Sequence, residues 1–145
     1  MRHLLLPALL VAFAFPVTAQ RAIAQPAADP PWVADVVGDY GGMVRNAGRM
    51  QCHHTSFELK DGHLIGHYRI EDDVPFNGEL TDFVPDDDSS GTFTWHDRFG
   101  VGKEYVRFAP DHASFFGAWG DDTVDPRNPV RGTRGGVAGC AGAVS

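Results

Sequence analysis

The stretch Thr55-Ser56-Phe57-Glu58-Leu59-Lys60-Asp61-Gly62-His63-Leu64-Ile65-Gly66-His67-Tyr68-Arg69 decides how this chain folds. Asp61-Gly62 supplies the positive φ values of a two-residue hairpin turn, whose twist matches that of the strands it joins. With this pair at the tip, Lys60 faces His63, Leu59 faces Leu64, Phe57 faces Gly66 and Thr55 faces Tyr68. Strand side chains alternate between the two faces of a sheet. Phe57, Leu59, Leu64, Gly66 and Tyr68 therefore share one face. His54, Ser56, Glu58, Lys60, His63, His67 and Arg69 take the other, with Ile65 the apolar exception. One side is suited to burial and the other to water.

The same texture runs outward in both directions. Glycines interrupt the chain at short intervals, and between them lie short stretches rich in aromatic and β-branched residues, the pattern of many short strands with turns. The strands predicted are Tyr40 to Arg45, Thr55 to Lys60, Leu64 to Ile70, Phe76 to Phe83, Thr92 to His96, Lys103 to Phe108, Ser114 to Trp119 and Arg131 to Thr133. Parallel pairs would need crossover segments of a dozen or more residues, which this spacing does not leave, so the order is an antiparallel meander. A meander with one apolar face must hide that face and its edges, and closure does both. The expectation is an all-β fold: an antiparallel up-and-down β-barrel of about eight strands, with a two-sheet β-sandwich as the alternative. A sandwich would draw its long connections from Gly120 to Val130 and from the acidic loop Pro85 to Ser90.

Before the barrel, Arg2 and His3 precede an uncharged apolar run from Leu4 to Phe15, and small residues follow, which reads as a secretory signal peptide over residues 1–24. Cleavage after Ala24 fits the small-x-small rule at Ala22-Ile23-Ala24 better than the competing Val17-Thr18-Ala19. Residues 25–37, rich in Ala and Pro, read as a flexible lead-in, 38–136 as the barrel domain and 137–145 as a Gly- and Ala-rich tail. The expected location is periplasmic or secreted. An exported chain with two cysteines, Cys52 and Cys140, is expected to join them in a disulfide that orders the tail.

With 145 residues the chain is sized for one domain. Twelve Lys and Arg against nineteen Asp and Glu give a formal charge of −7. Without clustered bases, this argues against a nucleic-acid binder. No apolar run reaches the roughly 20 residues of a membrane-spanning helix.

Gly38-Asp39-Tyr40, at the start of the first strand, resembles the Gly-x-Trp that opens lipocalins and avidin-type barrels, with Tyr in place of Trp. The resemblance implies that Tyr40 closes one barrel end and that Arg134, or Arg131, packs across it. No C-terminal helix of the lipocalin type is present, and the biotin-contacting pattern of avidins has no residue-by-residue match. The similarity is architectural and names no ligand.

No motif specifies an enzyme. Asp111, His112 and Ser114 fall in one turn, where they cannot align as a relay, and no Gly-x-Ser-x-Gly elbow accompanies Ser56, Ser89 or Ser90. His63 and His67, with His54 on the neighbouring strand, read either as a surface zinc or copper site, the basis for a small metal-assisted hydrolase, or as a solvated His-rich face. Glu71-Asp72-Asp73 and Asp86-Asp87-Asp88 lack the ordered spacing of a calcium loop and read as solvated turns. The informative set is Tyr68, Trp95 and Trp119, on different strands and each near a small or polar residue. Such an inward face holds either the rings of facing strands or a ligand. The functional expectation is a non-enzymatic binder of a small apolar or aromatic ligand through these three rings, with no cofactor. The alternative is an inhibitor or interaction module that meets an extracytoplasmic protein partner through loops such as Gly120 to Val130.

Overall fold

The computed structural model describes residues 27–136. The expected signal peptide, the tail 137–145 and Cys140 lie outside the described residues. Eight strands, β1 (Gly38–Asn46), β2 (Arg49–Lys60), β3 (His63–Glu71), β4 (Phe76–Pro85), β5 (Ser90–Asp97), β6 (Gly100–Phe108), β7 (Ser114–Gly120) and β8 (Pro129–Arg134), pair in chain order. β8 returns to pair antiparallel with β1, Tyr40 opposite Arg134 and Val44 opposite Val130, so the sheet closes into a barrel and the sandwich alternative falls. The β2–β3 hairpin has the register read from the sequence, Lys60 with His63, Phe57 with Gly66 and Thr55 with Tyr68. Asp61 (φ 54°) and Gly62 (φ 83°) form its left-handed tip.

Several strands run longer than their sequence pattern. β2 begins at Arg49 rather than Thr55, and the same alternation continues back through the inward residues His53 and Gln51, both buried. β4 is broken by a register shift between Thr81 and Val84, where Asp82 takes a left-handed φ of 50°. That bulge turns Phe83 inward in place of its neighbour, and Phe83 is buried.

The β2–β3, β4–β5 and β6–β7 turns lie at one end of the barrel, and that end is sealed. Tyr40, Phe57, Phe93, Phe108 and Phe115 interlock there, with Tyr40–Phe57, Tyr40–Phe115 and Phe57–Phe108 ring centroids 5.6, 5.5 and 5.4 Å apart in edge-to-face geometry. Residues 27–37, expected to be a flexible lead-in, instead form the plug. Pro31–Ala34 is a single 3-10 turn, Val33 and Val36 are buried, and Trp32 meets Phe83 and Phe108 edge-on. Asp29 fixes this segment to the hairpin by accepting from the Leu64 backbone N–H at 2.6 Å, while the Asp29 N–H donates to the Gly62 carbonyl. A proline-rich sequence suits such a plug, because preset φ angles reduce what ordering costs.

Candidate ligand site at the open end of the barrel

Tyr40 and Arg134 meet at the sealed end. The Arg134 guanidinium lies 4.9 Å from the Tyr40 ring centroid, and its Nη2 donates to the Tyr40 hydroxyl at 2.7 Å. It also donates to the Asp35 and Val37 carbonyls, each at 2.7 Å, so one side chain ties the last strand to the plug. Tyr40 in turn donates to the His112 carbonyl at 2.9 Å. Arg131, the other candidate, contributes only its backbone carbonyl, which takes the Nε2–H of His53 at 2.9 Å.

Among the described residues, the opposite end, formed by the β1–β2, β3–β4, β5–β6 and β7–β8 connections, has no such plug. Between it and the Phe57–Phe93 layer lies a cavity of about 40 Å³ lined by Tyr68, Trp95 and Trp119 together with His53, Thr55, Asp97 and Glu104. Trp95 and Trp119 stand edge to face, centroids 5.8 Å apart. Each indole N–H is anchored on backbone, Trp95 to the Gly120 carbonyl at 3.0 Å and Trp119 to the Arg45 carbonyl at 2.8 Å. The Tyr68 hydroxyl donates to Asp97 at 2.8 Å. Burial first, then that carboxylate, holds the phenol protonated well above its ordinary range.

The glycines beside these rings serve packing. A Cβ on Gly78 would meet the Tyr68 ring, and one on Gly102 would lie 2.7 Å from Trp95. The alternation of glycine and ring seats rings of neighbouring strands, and the space left over is small. Phe115 points inward and its neighbour Phe116 outward, where it is exposed.

Two inward polar residues carry the chemistry that the three rings do not. His53 is buried, with Nδ1 3.0 Å from the Thr55 hydroxyl and Nε2 on the Arg131 carbonyl. Since a carbonyl only accepts, Nε2 bears the proton and Nδ1 accepts from Thr55. Burial lowers the imidazole's pKa, so it is neutral at pH 7. Glu104, only 9% exposed, reaches the cavity from β6, and burial pushes its carboxyl up to about 8. A signal for Glu104 was present in the sequence: in Lys103 to Phe108, period two puts Glu104 on the face of Val106 and Phe108.

The outer face does not gather His54, His63 and His67 into the metal site that is the alternative reading of them. His63 pairs with Asp29 of the plug at 3.3 Å and His67 with Glu58 at 3.3 Å. Among the described residues no three His, Cys, Asp or Glu side chains are placed to hold a metal ion. Asp111 caps the Ala113 N–H, and no relay with His112 and Ser114 forms. In the acidic loops, the Ser89 N–H, the Ser90 hydroxyl and the Arg107 guanidinium hold Asp87 below the usual carboxylate range, and Arg49 reaches Asp72 at 3.1 Å. The segment after β7 folds back on itself, Asp125 N–H to the Trp119 carbonyl at 3.2 Å and Trp119 N–H to the Asn128 carbonyl at 3.1 Å. Among the described residues no helix is long and apolar enough to cross a membrane. No family model, curated protein or solved structure matches this chain.

Proposed function

We propose that this protein is an exported binding barrel that takes a small ligand, or the end of a larger one, through its open end. The observation that carries the reading is the convergence of Tyr68, Trp95 and Trp119 on one cavity at the unplugged end. Drug-sized ligands occupy pockets of roughly 300–1,000 Å³. A cavity of about 40 Å³ therefore seats a head group rather than a whole molecule of that size. The two anchored indoles make this a preorganised wall, so little side-chain freedom is lost when a ligand arrives.

The expected Cys52–Cys140 disulfide belongs to the same proposal. Cys52 lies on the outer face of β2 and is buried, with its Sγ 3.9 Å from Met43 Sδ. Gly136 packs beside Gly41, whose partner on β2 is His54, two residues from Cys52. Four further residues span up to about 14 Å, enough to bring Cys140 to Cys52.

Native mass spectrometry of protein purified from its own host, followed by titration of the recovered compound against intrinsic tryptophan fluorescence, tests the ligand reading. Binding is expected to perturb Trp95 and Trp119 and to weaken at least tenfold in Trp119→Ala. A ligand that binds equally well to Trp119→Ala, or one that leaves the indole emission unchanged, overturns the assignment of this cavity.

A further inference from the structure

The polar wall of the cavity is lopsided. The N–H or O–H donors of five lining residues are already committed: His53 Nε2 to the Arg131 carbonyl, Thr55 to His53 Nδ1, Tyr68 to Asp97, Trp95 to the Gly120 carbonyl and Trp119 to the Arg45 carbonyl. Besides them Asn46 gives one N–H to Gln51, and what the five residues leave for a ligand is hydroxyl lone pairs and aromatic surface. Glu104 differs from all of them: it is nine-tenths buried, lines the cavity and has no hydrogen-bond partner among the described residues. Burial strips most of the water from this carboxyl and no donor of the described residues replaces it, a cost that a ligand's donors would offset. A group that fits must bring several donors, carry positive charge and be small. A primary ammonium does all three, and it is further favoured beside indole rings.

Resting on the ligand reading above, we propose that the open-end cavity is an ammonium site, in which the –NH₃⁺ head of a small organic amine donates to the Glu104 carboxylate between Trp95 and Trp119.

The titratable groups lining the cavity are His53 from β2, Tyr68 from β3, Asp97 from β5 and Glu104 from β6. β1, β4, β7 and β8 contribute Val44, Asn46, Phe76, Trp119 and Val130, none of which titrates. The empty site holds Glu104 protonated at neutral pH, because burial pushes it up to about 8. An arriving ammonium ionises the carboxyl, and the proton leaves to solvent. From that value, binding at pH 7 releases about 0.9 proton and tightens roughly tenfold per pH unit up to pH 8.

The test uses n-butylamine as the probe, with 1-butanol and butyrate as neutral and anionic controls of similar length. Affinities come from calorimetry in phosphate and in MOPS, two buffers of different ionisation enthalpy. The expected result is binding of butylammonium with proton release, at least tenfold preference over both controls, and at least tenfold weaker binding by Glu104→Gln. Proton release in the unaltered protein keeps the proposal open to refutation should that variant fold poorly. Binding without proton release, or equal affinity in Glu104→Gln, overturns the ammonium site. Tight binding of butanol or butyrate, lost in Trp119→Ala, overturns it too but leaves the cavity standing as a ligand site. Failure of all three probes overturns both readings.

Discussion

Replacing Gly78 with alanine places a methyl group where the Tyr68 phenol lies. Gly78 sits opposite Tyr68 in the β3–β4 ladder, and an added Cβ would fall on Tyr68 Cζ and Oη, with Cε1 at 2.7 Å. The ring cannot withdraw freely, since its hydroxyl is tied to Asp97 at 2.8 Å. Either the barrel wall bulges or the phenol swings into the cavity and gives up that bond. Overpacking of this kind costs about 1–3 kcal/mol, and a hydrogen bond to a charged group contributes about 1.5–3 kcal/mol, so a loss of about 2–4 kcal/mol is expected. With the ring removed the obstacle vanishes: in a Tyr68→Ala background, Gly78→Ala should be neutral or gain up to about 1 kcal/mol, because alanine has less backbone entropy to lose. Urea unfolding of the four proteins of this cycle, followed by circular dichroism at pH 7, measures the coupling, expected near 3 kcal/mol. Additivity within about 0.5 kcal/mol would refute the reasoning, because it would mean that Gly78 and the phenol do not compete for one space.

Glu104 supplies a second prediction. Its folded pKa, about 8, exceeds the unfolded value near 4.5, so the folded state holds the extra proton and stability falls as pH rises through that window. Glu104→Gln should therefore gain about 4 kcal/mol on the parent between pH 5 and pH 9 in urea unfolding, whereas a pH-independent difference would place the carboxyl in solvent. His53 acts in the other sense. Its lowered pKa favours the folded state above about 6.5 and withdraws that support as pH falls, equally in both proteins, so it cancels from the comparison. At the sealed end, Arg134→Met removes five hydrogen bonds, two of them long ones to the His112 carbonyl, and the contact over Tyr40. Discounted for the exposure of Arg134, the cost should be about 2–3 kcal/mol by thermal unfolding, and Arg134→Lys should not restore it because an ammonium lacks the planar fork. Reduction with dithiothreitol should destabilise the protein by about 4 kcal/mol, and a chain ended at Gly136 should show no response to reductant.

The β2–β3 hairpin was legible because two independent signals agree, an Asp-Gly pair that fixes the turn and an alternation that fixes the faces. Closure followed from the physics of unpaired edges, and the position of Arg134 over Tyr40 from a short motif at one end of the chain and a late arginine at the other. The polar interior was harder to see. Charged and imidazole side chains in strands usually face water, so composition does not single out Glu104, although its parity with Val106 and Phe108 points inward. His53 was hidden by a strand start placed six residues late, at Thr55 instead of Arg49. The plug was missed because its order is tertiary: Val33 and Val36 are buried in a cluster made with side chains of distant strands.

Both ends of the described chain leave from the same pole. Ala28 lies beside the Gly62 turn, and Gly135 donates its N–H to the Asp39 carbonyl, far from the mouth between Trp95 and Trp119. A fluorophore or a bead attached at Ala28 or Gly135 would hold the molecule by its base, with the mouth turned outward and accessible. Orientation on a sensor chip would then be set by topology, with the aperture facing the sample.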